Sequence, residues 1–490
     1  MTTHATPDAD VIVVGAGPGG SAAAYHLARR GLDVLLLEKS GFPREKVCGD
    51  GLTPRSVAQL LKMGVDTSES AGWMRNRGLR VVADDTVIEL DWPVLQSFPE
   101  YGLTRTRYDF DQLLADRAVA VGADLRTGVQ VTAPIFDLAG RVAGVTARSQ
   151  GSTVTYRAPI VIAADGVSGR LALALGIKRN PARPMGVAVR QYYRSEAKHD
   201  DAYLESWLAL RTADEPDVLQ PGYGWIFGLG DGRVNAGLGV LNSSADYGKT
   251  NYRVLLRDWL DSTPEAWGLR DPAAADGPVR GAALPMGFNR VPHYSRGLML
   301  VGDSGGMVNP FNGEGIAYAI ESGEIAAEVV ATALRQPNAP RREAHLKRYP
   351  ELMSRRFGSY YRMGEVFVQL IGRPQIMKIC TERGLRHPAL MRLVLKLLAN
   401  LTDSPGGDFA DRLVNGLRVV TPSRGRSGVQ FAAFAGRYNG RPAGQGDRIT
   451  GPADRAGDRL ASSADRANDR LASSADRAND RLASFAERRA

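Results

Sequence analysis

The first third of the chain alternates uninterrupted apolar runs with Ala/Leu-rich stretches. Asp10 is followed by Val11-Ile-Val-Val14 with no polar break, the pattern of a short strand buried on both faces. A glycine-rich turn and an Ala-rich helical stretch, Ser21 to Arg30, follow, then a second apolar strand from Asp33 to Leu37. Further apolar strands begin at Val161 and at Leu298, and each ends in a Gly/Asp pair. Between them, from about Leu173 to Gly281, the texture changes to Gly- and aromatic-rich strands, including Met185–Tyr193 and 223–240. From Arg341 to about Asn415 the apolar positions recur at helical spacing.

This order predicts an α/β protein with an α+β second domain: a Rossmann-like domain built from residues 8–172 and 282–340, an antiparallel-sheet domain over 173–281, and a helical region over 341–420. Residues 421–452, rich in Gly, Arg and Pro, read as a linker. In the tail, 453–490, an eleven-residue unit of the form ADRA(G/N)DRLAS occurs three times. Its period of about 3.67 residues per turn would align Ala453, Ala456, Leu460 and Ala464 in a thin stripe on a helix.

Composition narrows the class. Two cysteines, Cys48 and Cys380, exclude a disulfide scaffold, a four-cysteine zinc site and an all-cysteine iron–sulfur cluster. Cys380 lies in an apolar helical run and is expected in the core. No apolar run approaches the roughly 18 residues of a membrane span. The opening residues carry Asp8 and Asp10 and no basic cluster, so no secretory signal is expected; two cysteines are what a reducing cytoplasm would leave, and a cytoplasmic location is expected. The net charge of +9 permits attraction to an anionic surface, but no basic–aromatic motif accompanies it, so nucleic acid is not an expected partner.

The strand at Val11 runs into Gly15-Ala-Gly17-Pro18-Gly-Gly20, a GxGxxG turn that opens a helix. Gly15 allows the tight turn, Gly17 lets backbone approach a pyrophosphate, and Gly20 allows close strand–helix packing. The helix N-terminus offers free N–H groups to the phosphates. Glu38, at the end of the second strand, is placed to accept from a ribose hydroxyl, which favours FAD or NAD over a 2′-phosphorylated cofactor. Asp165-Gly166 and Gly302-Asp303 close two further strands, and the second leads through 309–316 into another helix.

Taken together, GxGxxG, Asp165-Gly166 and Gly302-Asp303 resemble the flavoprotein hydroxylase superfamily, which implies FAD. The resemblance implies a cofactor site made of Gly15, Gly17, Pro18, Gly20, Glu38, Lys39, Cys48, Gly49, Arg107, Val131, Asp165, Gly166, Gly302, Asp303, Pro310, Gly313, Gly315 and Ile316. Two segments are similar to one branch, the geranylgeranyl reductase family: Pro43 to Gly51, around Cys48-Gly49, and Tyr223-Gly-Trp225-Ile-Phe227 with Gly237-Leu-Gly239; the stretches 48–54, CGDGLTP, and 302–316, GDSGGMVNPFNGEGI, resemble its actinobacterial members, the menaquinone side-chain reductases. Gly228 departs from the proline that many members carry.

The branch implies that reduced FAD saturates a carbon–carbon double bond in a polyprenyl lipid, with the menaquinone side chain first and another prenyl lipid or diphosphate second. A flavin monooxygenase and a non-catalytic membrane-associated flavoprotein stand as rivals. The electron donor would be NAD(P)H or a ferredoxin-like protein. Cys48 is the one candidate catalytic residue, near the flavin, and the proton source stays open.

Asp231-Gly232 predicts a two-residue hairpin, with Trp225 opposite Leu238 and Phe227 opposite Ala236. Tyr223, Trp225 and Phe227 then form an aromatic wall for the isoprenoid, with Gly237 and Gly239 on the other face. A lipid substrate also requires access to a bilayer. The stretch from His387 to Leu401 reads either as an interfacial helix, with Arg392 and Lys396 on its polar side, or as a packing helix. Arg355, Arg356 and Arg362 add positive charge, and peripheral association with the inner face of the cell membrane is expected.

Overall fold

The computed structural model describes residues 7–211, 218–244, 247–403 and 407–420; the linker and the eleven-residue repeat lie outside the described residues. Of the described residues, 7–211, 218–244, 251–403 and 407–420 pack as one unit. Its first sheet has six strands in the order Tyr294–Ser295, Leu298–Leu300, Ile160–Ala163, Val11–Val14, Val34–Leu37, Asp124–Arg126. All neighbours are parallel except the edge pair 294–295 with 298–300. The central strands are buried along their whole length, as their unbroken apolar runs require.

Two helices on one side of this sheet bring distant motifs together. The helix Pro18–Ala28 crosses Ile316–Leu334 at small residues: a Cβ on Gly323 would stand 2.5 Å from the Gly19 carbonyl oxygen, and one on Gly19 would stand 3.2 Å from that of Ala319. Backbone-to-backbone contact of this kind excludes larger side chains.

The second sheet has seven strands in the order Ala275–Pro285, Met185–Arg194, Arg233–Leu241, Gly222–Gly228, Tyr203–Trp207, Gly78–Ala83, Thr86–Asp91. It is antiparallel except where Tyr203–Trp207 runs parallel to Gly78–Ala83. The hairpin of residues 78–91, counted by its sequence position within 8–172, therefore extends the second sheet. One face of that sheet is sealed by the helix Tyr252–Asp261, whose Leu255, Leu256, Trp259 and Leu260 join Ile226, Leu238 and Val240 in a buried cluster.

The hairpin register differs from expectation by one residue. Leu229 N–H donates to the Arg233 carbonyl at 3.0 Å, so the loop is Gly230-Asp231-Gly232, three residues rather than two. Both glycines take positive φ, 78° and 87°, and Asp231 caps the Arg233 N–H at 3.1 Å. An added loop residue with positive φ shifts the pairing by one. Trp225 accordingly pairs with Gly237, Phe227 with Asn235 and Tyr223 with Gly239.

The C-terminal region is helical, including Ser359–Ile371, Pro374–Glu382, Pro388–Leu398 and Phe409–Val420. Two expectations fail here. Cys380 is exposed, because its short helix turns Met377 and Thr381 inward and leaves Ile379 and Cys380 outside. Lys396 is not on a polar outer side: it is buried and bonded to Asp408 at 2.8 Å and Asp411 at 3.0 Å. Met391 and Leu395 of the same helix pack with Val81, Leu90, Leu204 and Leu385, so this face is a packing face.

Candidate functional site

The glycine turn has the shape its spacing predicts. Gly15 has φ +99°, and a Cβ there would lie 2.4 Å from the Ala164 carbonyl oxygen; one on Gly20 would lie 1.8 Å from that of Gly15. Gly17, the N-cap of the helix that begins at Pro18, is open by contrast: the nearest atoms to a Cβ would be Arg44 Nη2 at 3.9 Å and Asp111 Oδ2 at 4.0 Å. The turn thus leaves room for a ligand at the one glycine whose role is close approach.

Glu38 is buried at the end of Val34–Leu37. Its carboxylate accepts from Ala16 N–H at 2.9 Å, inside the glycine turn, and from Ser40 N–H at 3.1 Å. Lys39 is exposed beside it. Val131 lies in an apolar cluster with Val14, Leu37 and Val129.

Arg107 opens the helix Arg107–Val119 and forks onto Asp111 at 2.5 and 2.8 Å. Arg44, which the sequence did not single out, bridges Asp111 at 2.9 Å and Glu38 at 3.5 Å. Its buried Nε has no hydrogen-bond partner among the described residues. A buried, unsatisfied guanidinium N–H beside an open glycine turn suits an anionic ligand.

The two Gly/Asp strand ends converge on the same sheet edge. Asp165 accepts from Ser304 Oγ at 2.7 Å and from Leu171 N–H at 3.3 Å, and Gly166 has φ +68°. Gly302 has φ +58° and donates its N–H to Ser322 Oγ at 3.0 Å. Burial pushes the carboxyl groups of Asp165 and Asp303 up, and for Asp303 the nearby Lys46 and Arg107 act against it. Lys46 is a second residue the sequence reading passed over, and burial lowers its ammonium.

The loop 309–315 then leads to Ile316, with Gly313 at φ +75° and Gly315 as N-cap. Pro310 is pressed against Gly364, where a Cβ would stand 2.2 Å from its Cγ. Glu314 accepts from Thr53 Oγ1 at 2.7 Å and Ser56 Oγ at 2.8 Å; its second oxygen is buried with no partner among the described residues, and burial raises its carboxyl.

The aromatic row is present, and it faces the Cys48 segment. Alternation turns Gly224 toward Trp259 and turns Tyr223, Trp225 and Phe227 to the opposite face, with neighbouring ring centroids 6.1 and 6.3 Å apart. A Cβ on Gly49 would stand 3.3 Å from both the Trp225 Nε1 and the Phe227 ring, and one on Gly51 would stand 3.1 Å from Phe227. Gly237 lies on the row's own face, beneath the Trp225 indole, rather than on the reverse; Gly239, the ladder partner of Tyr223, lies on that face too, with the Trp225 ring 3.9 Å from where its Cβ would stand. Tyr223 Oη donates to the Asn312 carbonyl at 2.7 Å, so the row ends at the 309–315 loop. At its other end, Phe227 packs into the apolar cluster that holds Met391 and Leu395.

Asp50 and Asn235 join the two halves of the site. Asp50, buried with φ +64°, accepts from Arg107 N–H at 3.1 Å, from Tyr192 Oη at 2.6 Å and from Asn235 Nδ2 at 2.8 Å. Burial raises its carboxyl to about 6 in spite of these bonds. The Cys48 thiol is also pushed up by burial, with the Arg107 guanidinium acting against it. Asn235 carried no sequence signal beyond being an amide in an apolar strand. No group of His, Cys, Asp and Glu suited to a metal ion occurs among the described residues.

Residues 8–351 match the FAD binding domain family. The chain is 38% identical over 408 residues to a menaquinone reductase of Mycobacterium tuberculosis, covering 83% of this chain and 95% of that protein. It is 29% identical over 361 residues to digeranylgeranylglycerophospholipid reductase 2 of Methanopyrus kandleri, covering 72% and 84%. Among solved structures, a geranylgeranyl bacteriochlorophyll reductase-like protein from Thermoplasma acidophilum superposes with a TM-score of 0.65 at 25% identity, over 84% of this chain and 99% of that one.

Proposed function

From the premise that the chain belongs to the geranylgeranyl reductase family of FAD-binding flavoproteins, we propose that it saturates a double bond in the isoprenoid side chain of menaquinone. When bound and reduced, FAD supplies the hydride. The observation that carries the reading is the aromatic row seated on Cys48–Gly51, running from the Asn312 loop to the C-terminal apolar cluster. An uncharged row of rings suits an isoprenoid, which offers dispersion contacts and no polar handle.

The chain's own groups have separable tasks. The Gly15–Gly20 turn and the following helix end hold the pyrophosphate, with Arg44 adding charge, and Glu38 receives the ribose. Arg107, Asp165, Asp303 and the 309–315 loop frame the rest of the cofactor. Tyr223, Trp225 and Phe227 hold the alkene dry and oriented, which matters because an unactivated double bond develops little charge for a polar group to stabilise. The proposed division into 8–172 with 282–340 and 173–281 is kept with two changes: the 78–91 hairpin and the end of the strand Ala275–Pro285 are counted in the second part, because both belong to the seven-stranded sheet.

The substrate must be met at a membrane surface. Among the described residues no helix is long and apolar enough to cross a membrane. The C-terminal helices instead expose Val366, Leu370, Ile379, Leu390 and Phe409, among the outward-facing Arg373, Lys378, Arg383 and Arg392. This mixture favours docking on anionic lipid at the cell membrane's inner face. NAD(P)H or a ferredoxin-like protein serves as the donor.

The test is anaerobic single turnover. Dithionite-reduced protein mixed with menaquinone in detergent should be reoxidised while the quinone side chain gains two hydrogens by mass spectrometry. A reduced protein that menaquinone leaves unoxidised, and that gives hydroxylated product once air is admitted, would replace this reading with a monooxygenase.

A further inference from the structure

Asparagine is disfavoured in strand interiors, and its amide is costly to bury unless every polar atom is used. Asn235 sits fully buried in the central strand Arg233–Leu241 and uses all of them. Its Oδ1 accepts from the Trp225 indole Nε1 at 2.9 Å. Its Nδ2 donates to the Cys48 carbonyl oxygen at 2.8 Å and to Asp50 Oδ2 at 2.8 Å. One indole donor and two oxygen acceptors fix the amide's orientation, since the flipped amide would face a donor with a donor and two acceptors with an acceptor. Tyr192, directly opposite Asn235 on the neighbouring strand, donates to the same Asp50 oxygen.

These bonds join parts of the chain 187 residues apart: the Cys48 segment on the cofactor side and the aromatic row on the sheet. Trp225 cannot settle elsewhere without losing the hydrogen bond of its indole N–H, and the Cys48 backbone cannot lift away without costing the Asn235 amide a partner. Full satisfaction makes such a network rigid. What it fixes is how the Trp225 ring lies against the Cys48–Gly51 backbone.

Resting on the polyprenyl-reductase reading, we propose that Asn235 is a positioning residue that holds Trp225 in one place against the Cys48–Gly51 segment, and thereby selects which double bond of the chain is presented for reduction. Successive isoprene units are chemically alike, so a choice among them must come from where the chain is clamped. A wall free to slide would accept several registers.

Two variants test this in a Cys380→Ser background, which removes the exposed thiol. Asn235→Ala removes all three bonds; Trp225→Phe removes the indole N–H and keeps a ring, which guards against a failure to fold. The first measurement needs no substrate: iodoacetamide alkylation of Cys48 in the FAD-loaded protein should accelerate about tenfold in Asn235→Ala, and an unchanged rate would overturn the proposal. The second is the anaerobic reaction with menaquinone. Both variants should keep bound flavin and its reoxidation by oxygen, react with menaquinone about 10–100-fold more slowly, and yield a mixture of positional isomers. A single, unchanged isomer in both variants would overturn the proposal, as would parallel loss of both reoxidation rates. If the parent protein itself fails to reduce menaquinone, the substrate reading falls, and the alkylation result still decides the role of Asn235.

Discussion

Gly237 lies directly across the sheet from Trp225, and a Cβ on it would stand 2.4 Å from the indole Cζ2. The glycine is thus the floor on which the largest ring of the aromatic row rests. The same Cβ would be 2.6 Å from the Val189 carbonyl oxygen and 2.7 Å from Arg190 Cβ, so the indole cannot make room alone.

Gly237→Ala should therefore destabilise the FAD-loaded protein by about 1–3 kcal/mol, the usual range for overpacking. Gly239→Ala is the control, because its nearest atoms would be 3.9 Å away. Urea unfolding of the two variants should separate them clearly; equal midpoints would mean that Trp225 is not held against Gly237.

Glu38→Ala removes the acceptor for the Ala16 N–H and leaves Arg44 with Asp111 alone. FAD affinity should fall by about 1.5–3 kcal/mol, the value of hydrogen bonds to a charged group, or roughly 10–150-fold. Fluorescence titration of the stripped protein reads it directly. Wild-type affinity in the variant would move the ribose contact to another residue.

Asp50 makes stability depend on pH in a defined window. Its folded pKa, raised by burial to about 6, exceeds the ordinary value of 3.8, so the folded state holds the proton more tightly. The stabilisation from that proton is complete below about 4 and is lost as pH rises through about 6. The difference in unfolding free energy between wild type and Asp50→Asn should shrink by the order of 2–3 kcal/mol across this window and stay level above it. A flat difference from pH 4 to 7 would show that Asp50 does not titrate there.

Glu321 is buried between Arg55, at 2.6 and 2.9 Å, and Arg356, at 2.9 Å. Glu321→Gln strands the buried Arg55 and should cost about 3–5 kcal/mol. Replacing Arg55 and Glu321 together by Met and Leu should cost less than the single change, and thermal unfolding of both variants would reveal the order.

Ile379→Glu with Leu390→Glu places charge on two exposed apolar positions, 56% and 45% accessible. Flotation with phosphatidylglycerol vesicles should drop several-fold, and wild-type flotation should weaken in high salt, because surface attraction is screened within about 10 Å at 0.1 M. Deleting 453–490 should leave bound FAD unchanged. Equal flotation of the double variant would place the lipid contact elsewhere.

Local chemistry carried much of this protein in its sequence. Val11–Val14 is buried because four consecutive apolar residues have no polar face to offer solvent, and Gly15 and Gly20 are required where a Cβ would strike backbone 2.4 and 1.8 Å away. Such constraints act within a few residues of the motif, so they can be read from its spacing. The aromatic row was legible for the same reason, since strand alternation is local. Its pairing was not: one extra loop residue, Gly230, moved Gly237 under Trp225 and changed which face the glycines serve. Lys396 looked like a solvent-facing cation until Asp408 and Asp411 folded back onto it. Asn235, Arg44 and Glu314 acquire meaning only from partners far along the chain. A side-chain amide, guanidinium or carboxylate has no directional pattern of its own in sequence; its role is set by which donors and acceptors the packed fold brings within 3 Å of it, and that was decided by the tertiary structure.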